Sequence, residues 1–335
     1  MNENLARLEE TLAGVERLLI VPHNDPDPDA MASALALQYL AAQRWGITAT
    51  IAYRGIVGRA ENKALVRYLG CPLRRLTRAA LHGNDPIALV DTQPGAGNHP
   101  LLPDRPPLIV VDHHIRQQAA DCAHLCDVRP GLGATSTIMA EYLRAAGLEP
   151  PPSLATALFY GIKTDTMGLY RGASAADAEA YFSLQPLIDV EALVEIEHAQ
   201  VPLDYFQRLA AALESARIYD SAVIAYVGLM HRPDLAAEIA DLLLRLEGTV
   251  WVVCLGAYRY QMVATVRTRH SKGGAEGLAQ AVVAGEGSAG GHGMVAGGQI
   301  PLAGRDPQAF AETLTLRALG YLHGAKAPSG RPLLG

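Results

Sequence analysis

Residues 18–30 read Leu-Leu-Ile-Val-Pro-His-Asn-Asp-Pro-Asp-Pro-Asp-Ala. The first four form a short aliphatic run of the kind buried on both faces of a parallel sheet. The run ends before Pro22, so His23 falls at the carboxyl end of a strand. Asp27 stands where a helix N-cap would, with Pro28 at the first helical position and Asp29 in the first turn. His23, Asp27 and Asp29 therefore share one tight strand-to-helix turn, at the edge of an open α/β sheet where ligands bind. Helix capping accounts for Asp27 alone. It does not account for three acids within five residues beside a histidine, because close carboxylates repel unless protons or cations intervene.

The same texture continues outward. Residues 47–53, 87–90 and 108–111 are further short aliphatic runs, separated or followed by helical stretches near 29–44, 60–69, 134–146, 153–164 and 174–185. Leu5, Leu8, Leu12 and Val15 recur at helical spacing before them. Alternation of this kind predicts an α/β fold, a doubly wound, mostly parallel sheet covered on both faces. Residues 186–220 read as mostly helical. A second, smaller α/β unit follows, with strands at 223–227, 250–255 and 258–268 and helices at 233–246 and 275–284. The expected organisation is a catalytic domain over 1–190, a helical linker over 191–220, a second domain over 221–324 and a flexible tail over 325–335.

Bulk properties bound the function. The chain has 335 residues, half of them hydrophobic and 19% charged, ample for packed cores. A net charge of −6 and a pI near 6.0 lack the basic excess needed to grip long nucleic acid without specificity. A short substrate held by a few arginines is compatible with that balance. No run of about 18 apolar residues exists to span a membrane, and the acidic, amphipathic start differs from a secretory signal. Four cysteines show no disulfide framework. Cytoplasmic location is the expectation, and a homodimer is compatible with it.

Three more acidic sites repeat the pattern of the first. Asp91 closes the run Ile-Ala-Leu-Val, Asp112-His113-His114 closes Leu-Ile-Val-Val, and Asp165 ends a helical segment. Strand-end aspartates commonly form turns, but that explanation has to hold at every site along one sheet edge. All these donors are imidazole nitrogen or carboxylate oxygen, a mixture that suits Mn²⁺ best, with Mg²⁺, Co²⁺ or Zn²⁺ also accommodated. Two such cations sharing a carboxylate can hold a nucleophilic hydroxide and clamp a phosphoryl group.

His23-x3-Asp27-x-Asp29-Ala30, Asp91, Asp112-His113-His114 and Asp165 together resemble the four motifs of the DHH phosphoesterase family. In the second domain, residues 288–297, Ser-Ala-Gly-Gly-His-Gly-Met-Val-Ala-Gly, resemble the glycine-rich signature of the DHH-associated domain, with fewer glycines before His292 than is usual. Val266-Arg267-Thr268-Arg269 resembles its arginine-bearing strand. Size and layout are most similar to the bacterial nanoRNase type, which acts on very short RNA and on pAp. The resemblance implies two lobes with an active site in the cleft between them. It implies one metal on His23, Asp27 and Asp91, and a second on Asp29, Asp91, His113 and Asp165. His114 would face the scissile phosphate, and Asp112 would orient the histidines. Arg267, Arg269, Gly290, Gly291 and His292 would bind substrate.

Other features compete for attention. The glycine run could cradle a phosphate with its backbone amides, and Arg267 and Arg269, alternating on a strand, would face one side. Residues 133–137, Gly-Ala-Thr-Ser-Thr, could meet a phosphate at a helix start or simply cap it. Cys122-x-His124-x-Cys126 lacks a fourth ligand and the usual spacing of a structural zinc site. The expected activity is hydrolysis of short oligonucleotides or pAp. Cyclic or linear dinucleotides are the alternative substrates, and a RecJ-like exonuclease, a pyrophosphatase or a non-catalytic nucleotide sensor stand further off.

Overall fold

The structure, a computed structural model, describes residues 3–70, 72–102, 104–324 and 328–334. It divides into two compact units, Met1–Ala199 and Gln200–Gly335. Among the described residues, no helix is long and apolar enough to cross a membrane.

In the first unit, strands β1 (Arg17–Pro22), β2 (Thr48–Tyr53), β3 (Leu73–Arg75), β4 (Ile87–Val90), β5 (Ile109–Asp112) and β6 (Leu125–Val128) form one sheet in the order β3-β2-β1-β4-β5-β6. Every neighbouring pair is parallel. The chain leaves β1 toward one side of the sheet and β4 toward the other, so the order reverses between these two strands. That is the switch point where doubly wound sheets hold ligands beyond their carboxyl ends.

Alternation along the strands sorts the core. Leu18 and Ile20 of β1 point to the face covered by α1 (Glu3–Leu12), α2 (Pro28–Trp45), α3 (Ala60–Tyr68), α5 (Thr135–Ala145) and α6 (Pro152–Asp165). Leu19 and Val21 point to a thinner face, closed by Leu76, Leu101, Ala123 and Ala80 of the short α4 (Arg78–Leu81). Helix α2 is the hub of the thick face. Its run of Ala30, Ala32, Ala34, Ala36 and Ala41 is buried and lets neighbouring helices approach closely. At Gly161 of α6 an added Cβ would meet Ser136 Oγ of α5 at 2.6 Å and Asp29 Cα of α2 at 3.0 Å. Three helices therefore converge on Asp29.

The expected connector over 191–220 is shared between the units. Helix α7 (Ala175–Leu184) is followed by α8 (Val190–Glu197), which stays with the first unit, where Tyr68 Oη donates to its N-cap Asp189 at 3.2 Å. Helix α9 (Leu203–Ser215) belongs to the second unit, tied to it by Tyr226 N donating to Ser215 Oγ at 2.9 Å.

The second unit is a seven-stranded sheet. Its strands are β7 (Arg217–Tyr219), β8 (Ala222–Leu229), β9 (Trp251–Tyr258), β10 (Gln261–Thr268), β11 (Ser288–His292), β12 (Val295–Pro301) and β13 (Arg331–Pro332), in the order β11-β12-β10-β9-β8-β7-β13. Only β8 and β9 run parallel, joined by the crossover helix α10 (Leu235–Leu243). Helices α11 (Ala275–Val283) and α12 (Pro307–His323) cover one face. The tail expected to fray contributes β13, paired with β7, with Leu333 N donating to Ala216 O at 3.0 Å. Residues 325–327 and 335 of that expected tail lie outside the described residues.

Candidate metal centre

The strand-end residues meet at the switch point. His23 follows β1, Asp91 follows β4, His113 follows β5, and Asp165 ends α6. Asp91 has φ +58°, a left-handed conformation that aspartate and asparagine tolerate better than most side chains. Its amide donates to Val111 O at 2.9 Å. The tight turn out of β4 thereby drops the carboxylate into the middle of the cluster, where it is 1% exposed.

Two donor sets share that carboxylate. On one side His23 Nε2 lies 3.4 Å from Asp91 Oδ2 and 3.5 Å from Asp27 Oδ2. Asp27 caps α2 through its other oxygen, which accepts from Ala30 N at 3.0 Å, so one carboxylate both starts the helix and faces the cluster. On the other side His113 Nε2 lies 3.6 Å from Asp91 Oδ1 and 3.3 Å from Asp165 Oδ2. Donor atoms of His23, Asp27 and Asp91, and separately of Asp29, His113 and Asp165, lie within 4.8 Å of one another.

Backbone carbonyls fix both imidazoles. His23 Nδ1 donates to Asn24 O at 2.8 Å and His113 Nδ1 to Leu132 O at 3.2 Å, because a carbonyl can only accept. Each Nε2 is thereby aimed at the cluster, the arrangement typical of metal-binding histidines. His113 Nε2 is buried yet makes no well-aligned hydrogen bond. A buried, orphaned ring nitrogen among carboxylate oxygens fits a hard-to-borderline divalent cation.

Asp29 is fully buried, and its two oxygens accept from Thr135 N and Ser136 N, each at 2.7 Å. Ala134 occupies the N-cap of α5 and has no side-chain acceptor, so Asp29 caps α5 from another helix. Thr135 Oγ1 donates to Asp91 Oδ1 at 2.8 Å. Gly133 N and Thr137 Oγ1 donate to the buried Asp177 at 2.9 and 2.6 Å. Of the groups in 133–137 that looked able to meet a phosphate, the Gly133, Thr135 and Ser136 amides and the Thr135 and Thr137 hydroxyls are thus engaged by the protein's own carboxylates, and the Ser136 hydroxyl faces Ser33 Oγ at 3.3 Å.

His114 joins the edge of the cluster: its Nδ1 lies 3.7 Å from Asp91 Oδ1, and its donor atom lies within 4.8 Å of those of Asp91 and His113. Its Nδ1 bonds Asp112 Oδ1 at 2.8 Å, and its side chain is 37% exposed. Asp112 is buried and carries no metal-facing oxygen: Oδ1 also accepts the His114 amide at 3.1 Å, while Oδ2 accepts Gln93 Nε2 at 2.7 Å. Gln93, buried and fully bonded through Ile115 O and Gln117 N as well, locks the turn that carries both histidines. Gln93 is the functional neighbour that sequence reasoning missed, while Thr135, expected to meet a phosphate or cap its helix, instead holds Asp91. A buried amide two residues past a strand-end acid is too common a pattern to single out Gln93.

Electrostatics show what the cluster lacks. Burial opposes charge on His23, yet the Asp27 and Asp91 carboxylates outweigh it and hold the imidazole well above its ordinary range. His113 follows suit: against its burial, Asp165, Asp91 and Asp29 push it up to about 11. Burial raises Asp29 well above the usual carboxyl range, with the Asp91 and Asp165 charges adding to it, and lifts Asp165 to about 6 despite the nearby His113 imidazole. Asp27 moves oppositely, its burial outweighed by His23. Without a cation the cluster balances itself with protons. The raised imidazole pKa values mean that protons must leave Nε2 before a cation can bind, so affinity falls as pH falls. Mn²⁺ binding at neutral pH is expected to release protons, measured by calorimetry in two buffers of different ionisation enthalpy; identical heats in both would contradict it.

In the second unit the substrate-binding expectations are revised. Arg267 is 9% exposed, and its Nε donates to Asp241 Oδ1 at 2.6 Å, so it anchors α10 to the sheet. Strand β10 ends at Thr268, whose hydroxyl turns back to Val250 O and receives the His270 amide. Arg269 therefore lies past the strand and is exposed, and the two arginines do not share an environment. The glycine run forms a β-hairpin where a loop was expected: Gly290 pairs with Gly297 and Gly291 with Ala296. Glycine is required by close approach, since a Cβ on Gly291 would sit 2.4 Å from Val295 O. The His292 and Cys122 side chains lie outside what is described. His124 is exposed and Cys126 packs on the thin face of the first sheet, and neither joins a ligand cluster among the described residues.

Known proteins share this frame. Residues 17–162 match the model of the DHH family, N-terminal domain, a span that holds every member of the cluster except Asp165. The chain is 36% identical over 286 residues to an uncharacterized protein of Methanocaldococcus jannaschii, covering 85% of this chain and 58% of that protein. It is 27% identical over 155 residues to a probable manganese-dependent inorganic pyrophosphatase of Streptococcus agalactiae, covering 46% of this chain and 49% of that one. The chain thus spans between about half and three fifths of the length of these relatives. An exopolyphosphatase-related protein from Bacteroides fragilis aligns over 96% of both chains with a TM-score of 0.77 at 14% identity, a likeness of fold. Sheet order, donor cluster and family match agree: over residues 17–162 this chain carries a domain that matches the DHH family, N-terminal domain.

Proposed function

We propose that the protein is a divalent-metal-dependent phosphoesterase that hydrolyses short nucleotide substrates, short oligonucleotides or pAp. The observation that carries this reading is the position of Asp91 between two donor sets, one oxygen toward His23 and the other toward His113. His23, Asp27 and Asp91 would hold one cation, and Asp29, Asp91, His113 and Asp165 the other. Such a pair supplies Lewis-acid polarisation of a phosphoryl group and an acidified water. Manganese is the favoured ion, supported by the donor chemistry and by the printed name of the Streptococcus agalactiae relative.

The chain's own contribution is orientation and a proton. Asp112, held by Gln93, keeps the Nδ1 proton of His114 in place and raises the basicity of the ring against the cost of its burial. The other ring nitrogen, turned away from Asp112, could then pass a proton to the leaving oxygen as a general acid. Asp112 acts through His114 as a positioning residue. Asp112→Asn would offer an amide where the imidazole needs an acceptor, and is expected to lower the turnover rate roughly 10–100-fold with Mn²⁺ affinity unchanged. Equal losses in metal binding and turnover would refute that division of labour.

The substrate test is direct. Purified protein with Mn²⁺ is assayed against RNA and DNA two- to ten-mers, pAp, cyclic dinucleotides and inorganic pyrophosphate. Specificity constants that fall with oligomer length support the reading; pyrophosphate as the preferred substrate, or equal rates on long and short oligomers, would overturn it.

A further inference from the structure

The segment after Asp165 has an unusual backbone. Met167, Gly168 and Leu169 have φ values of +51°, +68° and +71°, and two of these three consecutive left-handed residues carry side chains that disfavour that region. The loop is nevertheless tightly held. Gly168 N donates to Lys163 O at 2.8 Å, Leu169 N to Thr166 Oγ1 at 2.9 Å and Arg171 N to Thr166 O at 2.8 Å. Arg171 Nη2 reaches Asp165 O at 3.1 Å, tying the loop to the residue it follows. Leu169 turns inward onto the core. The result is that Tyr170 is 88% exposed and Met167 58% exposed, on a rigid excursion that opens and closes at Asp165 and Thr166.

A second loop at the cluster behaves alike. Ile115, next to His114, is 70% exposed although its carbonyl is fixed by Gln93. Single exposed apolar side chains need no explanation. Large apolar side chains raised from pinned loops that lead out of one cluster, at Asp165 and at His114, do, because backbone strain is retained where it positions a group.

We propose that Tyr170 is a stacking platform for a nucleobase of the substrate, with Met167 extending its apolar surface. This rests on the phosphoesterase reading: the cluster fixes the phosphate, and the base attached to it must lie against a neighbouring wall. An aromatic face accepts any base, since each has a π-face, so the platform confers preference for nucleotides over base-free phosphate esters without selecting among bases. Its rigidity matters, because a side chain held in place loses little freedom on binding. Tyr170 is a specificity residue and takes no part in the chemistry.

The test compares a dinucleotide with its abasic counterpart, the same sugar–phosphate skeleton without bases, under Mn²⁺. Tyr170→Ala is expected to lower kcat/KM on the dinucleotide roughly tenfold, mainly through KM, and to leave the abasic substrate within about twofold. Tyr170→Phe and Tyr170→Trp should retain the preference for the dinucleotide. If wild-type protein cleaves both substrates and Tyr170→Ala loses nothing, or loses equally on both, the platform is refuted and the phosphoesterase reading stands. Wild-type protein inert on both would overturn that reading and the platform together.

Discussion

Asp91→Asn is expected to reduce Mn²⁺-dependent hydrolysis by on the order of 10³-fold or more while leaving the fold intact. The loss follows from taking away the one carboxylate among the described residues that faces both His23 and His113, and with it several kcal/mol of charge stabilisation. The fold should survive for two reasons. Asparagine tolerates the left-handed backbone at this position, and its carbonyl can still accept the Thr135 hydroxyl. Thermal melting provides the control. Metal-free variant and wild type should unfold at similar temperatures, whereas saturating Mn²⁺ should stabilise only the wild type appreciably, as ligand linkage requires. Retained activity with retained metal stabilisation would remove Asp91 from the centre of the site.

The second large effect concerns Asp29, whose role is double. As a carboxylate it belongs to the donor set of His113 and Asp165, and as an acceptor it caps α5 through the Thr135 and Ser136 amides. Asp29→Asn keeps one accepting oxygen and puts a donor where the second stood, facing a backbone N–H. One buried donor is then left unpaired, costing about 2 kcal/mol. Melting should fall by about 6 °C for a unit of this size even without metal. Activity should fall as steeply as for Asp91→Asn. The contrast is the point of the pair: similar catalytic losses, but metal-free destabilisation confined to Asp29→Asn. If the two variants melt alike without metal, the capping role of Asp29 is wrong.

What could be seen in the sequence follows from where each contact lies along the chain. The central strands β1, β4 and β5 are buried on both faces and therefore carry continuous aliphatic runs, which made them legible. The flanking strands were not. Leu73–Arg75 offers one apolar residue and Leu125–Val128 carries an aspartate, because sheet edges bury less. The hairpin β11–β12 was misread as a loop, since glycine has low strand propensity and the reason for it is the nearness of the partner strand.

At the site, the acids and histidines stood out because each directly follows a strand or ends a helix. Their supports did not. Thr135 meets Asp91 across 44 positions of sequence, and Gln93 meets Asp112 across 19, separations that carry no local signal. Arg267 carried an ambiguous signal. Its residue type suits phosphate, and an ion pair with Asp241 of a neighbouring helix has the same sequence appearance as a binding residue.

Thr135 carries a last implication. Its amide holds a carboxylate of the Asp29 set and its hydroxyl holds the carboxylate shared with the His23 set. The two sets are thus moored to one residue at the start of one helix, and neither can be rearranged without pulling on the other. Under the two-cation proposal, ordering one set would settle the geometry of its neighbour in advance, so a first cation would prepare the place of a second.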